Sequence, residues 1–283
     1  HHKESMIFMR NTLHFVINKI SKYNIPSIIE FHNLPSKRYL NNYKKLFKYS
    51  DNIFPLALTK GLAEDLSEQL DFNISNFLVV PGAVDISKYR KIKISKKQAG
   101  QKIKITYVGS LIENRGVNIL LKSAKYLPNF EFVIIGGIGK DLMNAQNFLN
   151  ENLINNVKLL GHKSQHEIYK YYEQADILIL PMSGKEEHTR KYASPNKLFE
   201  YMASSKPIIA SKLQSVKEVL VDNENCILFE PDNLNDLIEK IKLLSSNSDL
   251  MSKIGENAKN NAKSFSWDER VEKIYNHVQN LRK

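Results

Sequence analysis

Residues Ile103-Lys-Ile-Thr-Tyr-Val-Gly109, followed by Arg115-Gly116 and then by Phe130-Glu-Phe-Val-Ile-Ile-Gly-Gly137, decide the fold class. Each run is short, rich in β-branched and aromatic residues, and stopped by glycine, which reads as a strand buried on both faces. Between them, Val117 to Tyr126 has the spacing of an apolar-faced helix. Strand, helix, strand at this length implies a parallel pair with a crossover connection.

The same unit recurs downstream. A helix is expected over Asp141 to Asn150, a strand over Val157 to Leu160, helical turns at Ile168 to Tyr172, and a strand at Ile177 to Leu180 that Pro181 stops. A helix at Asn196 to Ala203, a strand at Pro207 to Ala210, an apolar run at Asn225 to Phe229 and helical spacing from Leu234 onward complete an α/β unit. Upstream, the pattern predicts a helix at Leu13 to Tyr23, a strand at Ser27 to Phe31, a helix near Asn41 to Tyr49, a strand at Asn52 to Leu58, a helix at Lys60 to Gln69 and a strand at Asn76 to Val80. That is about half of a second Rossmann-type unit. The Lys-rich stretch Lys91 to Lys102 reads as a linker, so the expected division is 1–90, 91–265 and a final helix, 266–283.

Composition sets outer bounds. The 283 residues are 42% hydrophobic and 25% charged, the balance of a globular protein. No run approaches the roughly 18 to 20 apolar residues needed to cross a bilayer, and no basic-then-apolar leader opens the chain. The single cysteine, Cys226, has no partner for an internal disulfide or at metal-ligand spacing, so a cytoplasmic setting is expected. A net charge of +11 favours anionic partners. The basic residues are dispersed and form no recognised nucleic-acid module, and no G-x-G-x-x-G follows a strand, which argues against nucleic-acid binding and against a dinucleotide oxidoreductase.

Two segments carry chemistry. Gly109 and Arg115-Gly116 put a flexible turn and a cation at the carboxyl end of a parallel strand, where open α/β sheets bind ligands; a plain βα turn with a solvated arginine fits the same spacing. In Ser194-Pro-Asn-Lys-Leu-Phe-Glu-Tyr-Met-Ala203, Ser194 is expected to cap a helix that carries Pro195 in its first turn, leaving the amides of Asn196 and Lys197 free for a diphosphate. Glu200, one to two turns in, suits a ribose diol, although an ordinary surface glutamate has the same spacing.

These segments stand in an ordered set: Val108-Gly109, Arg115-Gly116, Gly136-Gly137, Gly161-His162, Ala175-Asp-Ile-Leu-Ile-Leu-Pro181, Ser194 to Ala203, Lys206-Pro-Ile-Ile-Ala-Ser211 and Phe265-Ser-Trp267. The set resembles family 4 of the glycosyltransferases, the glycosyl transferases group 1. Upstream, Ile29-Glu-Phe-His32, Leu58-Thr-Lys60 and Val79 to Asp85 resemble the later part of that family's N-terminal domain, with Gly82-Ala83 where the family usually has Asn-Gly.

The resemblance implies a GT-B fold, two Rossmann-like domains with a last helix returning to the first, and an N-terminal domain truncated relative to the family. It implies that Arg115 takes the place of the family's diphosphate-binding lysine, while Ser110 stands where an arginine is frequent. Lys191 or Lys197 would then supply further charge. Of the family's paired glutamates, Tyr192 replaces the first and Glu200 keeps the ribose-binding second. His32 matches the histidine that faces the donor sugar, and the turn Gly161-His162-Lys163 the part that brackets the base. The implied donor set is Gly109, Ser110, Arg115, Gly137, Gly161, His162, Ser194, Pro195, Asn196, Lys197, Leu198 and Glu200, with His32, Arg115 and Glu200 catalytic.

The implied activity is a retaining transfer of sugar from a nucleoside-diphosphate sugar to a glycan or lipid-linked acceptor, in surface polysaccharide or glycoconjugate synthesis. No cofactor or metal is expected, and the sequence has no Asp-x-Asp. A nucleotide-sugar epimerase or phosphorylase of the same architecture, or a chain that binds donor without transferring it, are the rival readings. Finally, Lys37, Arg38, Lys44, Lys45 and Lys48 alternate with Tyr39, Leu40, Tyr43, Leu46 and Phe47, a basic amphipathic pattern over 37–48 that fits either peripheral contact with the anionic inner face of a membrane or a solvated helix with one core face.

Overall fold

A computed structural model describes residues 6–10, 26–92 and 100–281. The helix expected at Leu13 to Tyr23 and most of the Lys91 to Lys102 stretch lie outside the described residues. The chain forms two compact units. One takes the residues up to Gly82, Lys191–Ser194 and the residues from Trp267; the other takes Ala83–Arg190 and Pro195–Ser266.

In the first unit, strands β1 (Ile7–Arg10), β2 (Ser27–Phe31), β3 (Ile53–Ala57) and β4 (Leu78–Val79) pair in parallel in the order β1-β2-β3-β4. β2 and β3 are buried along their whole length, as their continuous apolar runs require. β1 was not expected from the sequence. It is four residues long and pairs with β2, with Phe8 exposed, so it has neither the length nor the burial pattern that periodicity detects. Helix α1 (Lys37–Tyr49) begins a turn earlier than its apolar period, and α2 (Lys60–Leu70) starts where the Thr59 hydroxyl accepts from the amide of Leu62 at 3.1 Å.

α1 commits its apolar face to the core. Tyr43, Leu46 and Phe47 are buried in this unit's core with Phe31 and Leu62, and Tyr39 and Leu40 pack against it. The apolar face is therefore spent on folding, and the outer surface left to the helix carries Lys37, Arg38, Lys45, Lys48 and the exposed ring of Tyr49.

The second unit is a six-stranded parallel sheet in the order β10-β9-β8-β5-β6-β7, built from β5 (Ile103–Val108), β6 (Phe130–Ile135), β7 (Val157–Leu159), β8 (Ile177–Leu180), β9 (Ile208–Ser211) and β10 (Ile227–Phe229). Helices α3 (Val117–Lys125), α4 (Gly139–Glu151), α5 (Gln165–Gln174), α6 (Asn196–Ala203) and α7 (Gln214–Lys217) connect them, followed by α8 (Leu234–Ser245) and α9 (Ser248–Ala262). Ile105, Phe132, Ile134, Ile177, Ile179 and Leu120 form its core, none measurably exposed. The order reverses between β5 and β8, which creates the switch-point crevice of a doubly wound sheet.

The last helix, α10 (Trp267–Leu281), groups with the first unit, where Ile274 and Val278 pack on Ile28, Phe54 and Leu56. No described helix is long and apolar enough to cross a membrane.

Candidate donor site

At the carboxyl ends of β5 and β6 the second unit holds a pocket of about 410 Å³. Its floor is glycine for a steric reason. Gly136 has φ +125°, and a Cβ there would lie 1.8 Å from the carbonyl oxygen of Gly109, so the two turns approach as closely as backbone allows. Gly137 follows at φ +75°, turning the chain into α4. Of the expected donor residues, Gly109, Ser110, Gly137, His162 and Lys197 line this pocket. Gly161 lies just behind it, its carbonyl accepting from the Gly136 amide at 2.7 Å.

Lys163, from the same turn as Gly161 and His162, lines it too, and two further lining residues were not anticipated: Asp141 in the first turn of α4 and Gln165 at the start of α5. A capping box sets Gln165 in place, with the Ser164 amide donating to the Glu167 carboxylate at 2.9 Å. The pattern Ser164-x-x-Glu167 was a usable signal for that helix start, and helical spacing from Ile168 alone placed it late.

The start of α6 differs from expectation. Pro195, with φ −72° and ψ 132°, is the N-cap, and no side chain caps the helix. The Ser194 hydroxyl instead accepts from the amide of Gly82 at 2.9 Å. Leu198 is buried, and its amide closes the first turn on the Pro195 carbonyl at 3.0 Å, so neither its side chain nor its N–H is offered to a ligand. Asn196 and Lys197, as the first two helical residues, have no intrahelical carbonyl partner for their amides, and the positive end of the helix dipole lies here.

Glu200 sits beside the pocket. Its Oε2 accepts from the Tyr172 hydroxyl at 2.6 Å and from Lys197 Nζ at 3.1 Å, and its Oε1 stands 3.5 Å from Gln165 Nε2. Tyr172 is fully buried, and burial, reinforced by the Glu200 charge, drives its hydroxyl well above the ordinary tyrosine range, which keeps it a donor. Tyr201, packed edge-on against Tyr172 with centroids 5.7 Å apart, accepts from the Val108 amide at 2.9 Å and so ties α6 to the end of β5.

Arg115 lies in a 3-10 turn (Glu113–Arg115) before Gly116, which has φ +72° and abuts the Pro181 carbonyl. The turn is held by an ion pair from Lys185 to Glu113 at 3.0 Å and by the Asn114 amide donating to Glu186 at 3.0 Å. The Arg115 amide donates to the Ile112 carbonyl at 3.0 Å, but its guanidinium makes no hydrogen bond or ion pair among the described residues and does not line the pocket.

The segment Lys191–Ser194 of the first unit begins in the last two residues of a π-helical turn (His188–Tyr192). Lys191, offered above as a phosphate cation, is paired with Asp65 at 3.0 Å. Tyr192 is buried in that unit's core and its hydroxyl donates to the same carboxylate at 2.5 Å. Burial pushes the Asp65 carboxyl up, but the bonds from Tyr192 and Lys191 outweigh it and hold it below the usual range. His32 follows β2. Arg10 donates to its Nδ1 at 2.8 Å and its Nε2 meets Glu30 Oε1 at 2.5 Å; because arginine only donates, the ring proton belongs on Nε2.

Residues 88–261 match the family model of the glycosyl transferases group 1, which is most of the second unit and more than half of the chain. The chain belongs to this family. An uncharacterized glycosyltransferase of Methanocaldococcus jannaschii is 30% identical over 264 residues, 90% of this chain and 69% of that protein. The poly(ribitol-phosphate) alpha-N-acetylglucosaminyltransferase of Staphylococcus aureus is 25% identical over 233 residues, 78% of this chain and 43% of the relative, so the chain spans from under half to about two thirds of the length of these two relatives. Among solved structures, Anabaena HepE in complex with UDP superposes with a TM-score of 0.79 at 15% identity, covering 99% of this chain and 79% of that one. At that identity the likeness shows the fold: α/β, with parallel-sheet units of the GT-B type.

Proposed function

We propose that the chain transfers a sugar from a nucleoside-diphosphate sugar to a glycan or lipid-linked acceptor, with retention of anomeric configuration and without a metal ion, in polysaccharide or glycoconjugate synthesis. The observation that carries this reading is the pocket at the ends of β5 and β6, where the Gly109–Gly136 approach leaves room for a ligand beside Lys197 and the first amides of α6. Its volume suits a nucleotide. The UDP held by Anabaena HepE supports this class of ligand.

In this reading the diphosphate takes the amides of Asn196 and Lys197, with Arg115 as a free cation near by, and Glu200 takes the ribose. As the bond from the anomeric carbon to the phosphate oxygen lengthens, these fixed donors stabilise the charge that develops on the leaving diphosphate. The acceptor oxygen attacks on the same face, and its proton passes to the departing phosphate oxygen. His32, its ring oriented by Arg10 and Glu30, is carried as a catalytic residue on the family resemblance alone.

The test is a calorimetric and thermal-shift titration with UDP, GDP and their sugar conjugates, using Arg115→Ala and Glu200→Ala as controls, followed by turnover with lipid-linked acceptors in EDTA. No stabilisation of the wild type by any of them sinks the donor site; donor binding without turnover leaves a binding protein; acceptor-independent isomerisation makes it an epimerase. A second reading concerns location. The exposed cations of α1 favour electrostatic contact with anionic lipid at the inner membrane face, without insertion, and flotation with phosphatidylserine or phosphatidylglycerol vesicles checks it: no binding at low salt removes it.

A further inference from the structure

Glu200 carries two donors on one oxygen and almost none on the other. Tyr172 and Lys197 both reach Oε2, at 2.6 and 3.1 Å, which fills the two lone pairs of that atom. Oε1 has only Gln165, at the limit of hydrogen-bonding distance, and Gln165 lines the pocket. The carboxylate is thus not an open two-oxygen acceptor. It has one committed oxygen and one available oxygen, and the committed one is fixed by a side chain with no freedom of its own.

Tyr172 is fully buried, tilted against Tyr89 at 6.0 Å and set edge-on to Tyr201 at 5.7 Å. Lys197, by contrast, is a flexible ammonium on the same helix as Glu200 and lines the pocket, so it is free to trade partners when an anion arrives. The rigid anchor is the phenol. We propose that Tyr172 is a positioning residue of the donor site: its hydroxyl holds Glu200 Oε2 so that Oε1 is presented, beside Gln165, to a single ribose hydroxyl, which makes the site selective for ribonucleotides over their deoxy forms.

This rests on the donor-site reading above, and the experiment separates the two. Calorimetry measures binding of UDP, 2′-deoxy-UDP and 3′-deoxy-UDP, or the GDP series if GDP is the nucleotide bound, to the wild type, Tyr172→Phe and Glu200→Ala. The wild type prefers the ribo form over one deoxy form by about tenfold or more. Tyr172→Phe loses most of that ratio and keeps its affinity for the deoxy form, because it frees the carboxylate without touching the diphosphate contacts. A merely structural loss would weaken all three ligands alike and overturns the proposal, as does an unchanged ratio. A preference retained in Glu200→Ala, which has no acceptor, means that the ribose is read elsewhere, which also overturns it. If the wild type binds no nucleotide, the donor-site reading itself has failed and this one with it.

Discussion

The Glu30 carboxylate accepts from the Arg270 guanidinium at 2.7 Å across 240 positions of chain, and both side chains are about nine-tenths buried. Arg270 also donates to the Pro81 carbonyl at 2.8 Å and stacks over Trp267 at 5.7 Å. It is thus a polar fastening between β2 and α10, beside the apolar contact of Ile274 and Val278 with Ile28. Arg270→Leu strands a buried carboxylate, and a loss of about 3 kcal/mol is expected in urea denaturation. The double variant Glu30→Leu with Arg270→Leu recovers a large part of it, since the stranded charge is gone.

Two groups on these same elements make stability fall as pH drops, each in its own pH range. Burial alone would raise the Glu30 carboxyl, but hydrogen bonds from His32 and Arg270 prevail and hold it below its ordinary value of 4.5. A carboxyl depressed in the folded state contributes stability above the unfolded value and loses it as pH falls through the folded one, so Glu30→Gln flattens the acid limb of the stability curve below about pH 4.5.

His277 is shifted by burial, which lowers it from 6.5, and its Nε2 is buried with no partner among the described residues. The unfolded chain therefore takes up the proton first, and stability falls as pH drops below about 6.5. His277→Leu should show a smaller difference in urea midpoint between pH 8 and pH 5.5 than the wild type. An equal difference would assign the pH dependence to other groups.

Gly136→Ala places a methyl on the Gly109 carbonyl in a backbone conformation that L side chains rarely adopt. The expected cost is on the order of 3 kcal/mol, with nucleotide binding lost because the pocket floor must shift. Gly139→Ala, also at positive φ but with open space around its Cβ, serves as the control and should retain the pocket.

Arg115→Ala makes the contrasting case. Since the Arg115 guanidinium makes no hydrogen bond or ion pair among the described residues, the melting temperature of the free protein should move little, while nucleotide-diphosphate affinity falls about tenfold. A drop in stability with unchanged affinity would make it a structural residue.

Much of the second unit was legible because its strands are continuous apolar runs with hard stops. Ile103–Val108 ends at Gly109, Phe130–Ile135 at Gly136 and Ile177–Leu180 at Pro181, and all three strands have the bounds read from the sequence. Less was legible where the decisive partner is remote. Ser194 looks like a cap to its own helix, yet its hydroxyl serves Gly82, 112 positions away. α1 starts at Lys37, four residues before the helix read from Asn41, in a turn whose Tyr39 and Leu40 pack against the core of the unit.

Local order, the α/β alternation, the glycine turns and the stretch Ser194 to Ala203 were determined by the sequence itself, because hydrophobic period and φ requirements are properties of neighbouring residues. Tertiary structure alone decided that α1 spends its apolar face on the core, that Lys191 and Tyr192 belong to Asp65, and that Tyr172 holds Glu200. Each of these is a pairing between groups far apart along the chain, and only the packing that buries them together removes the competing water and makes the pairing hold.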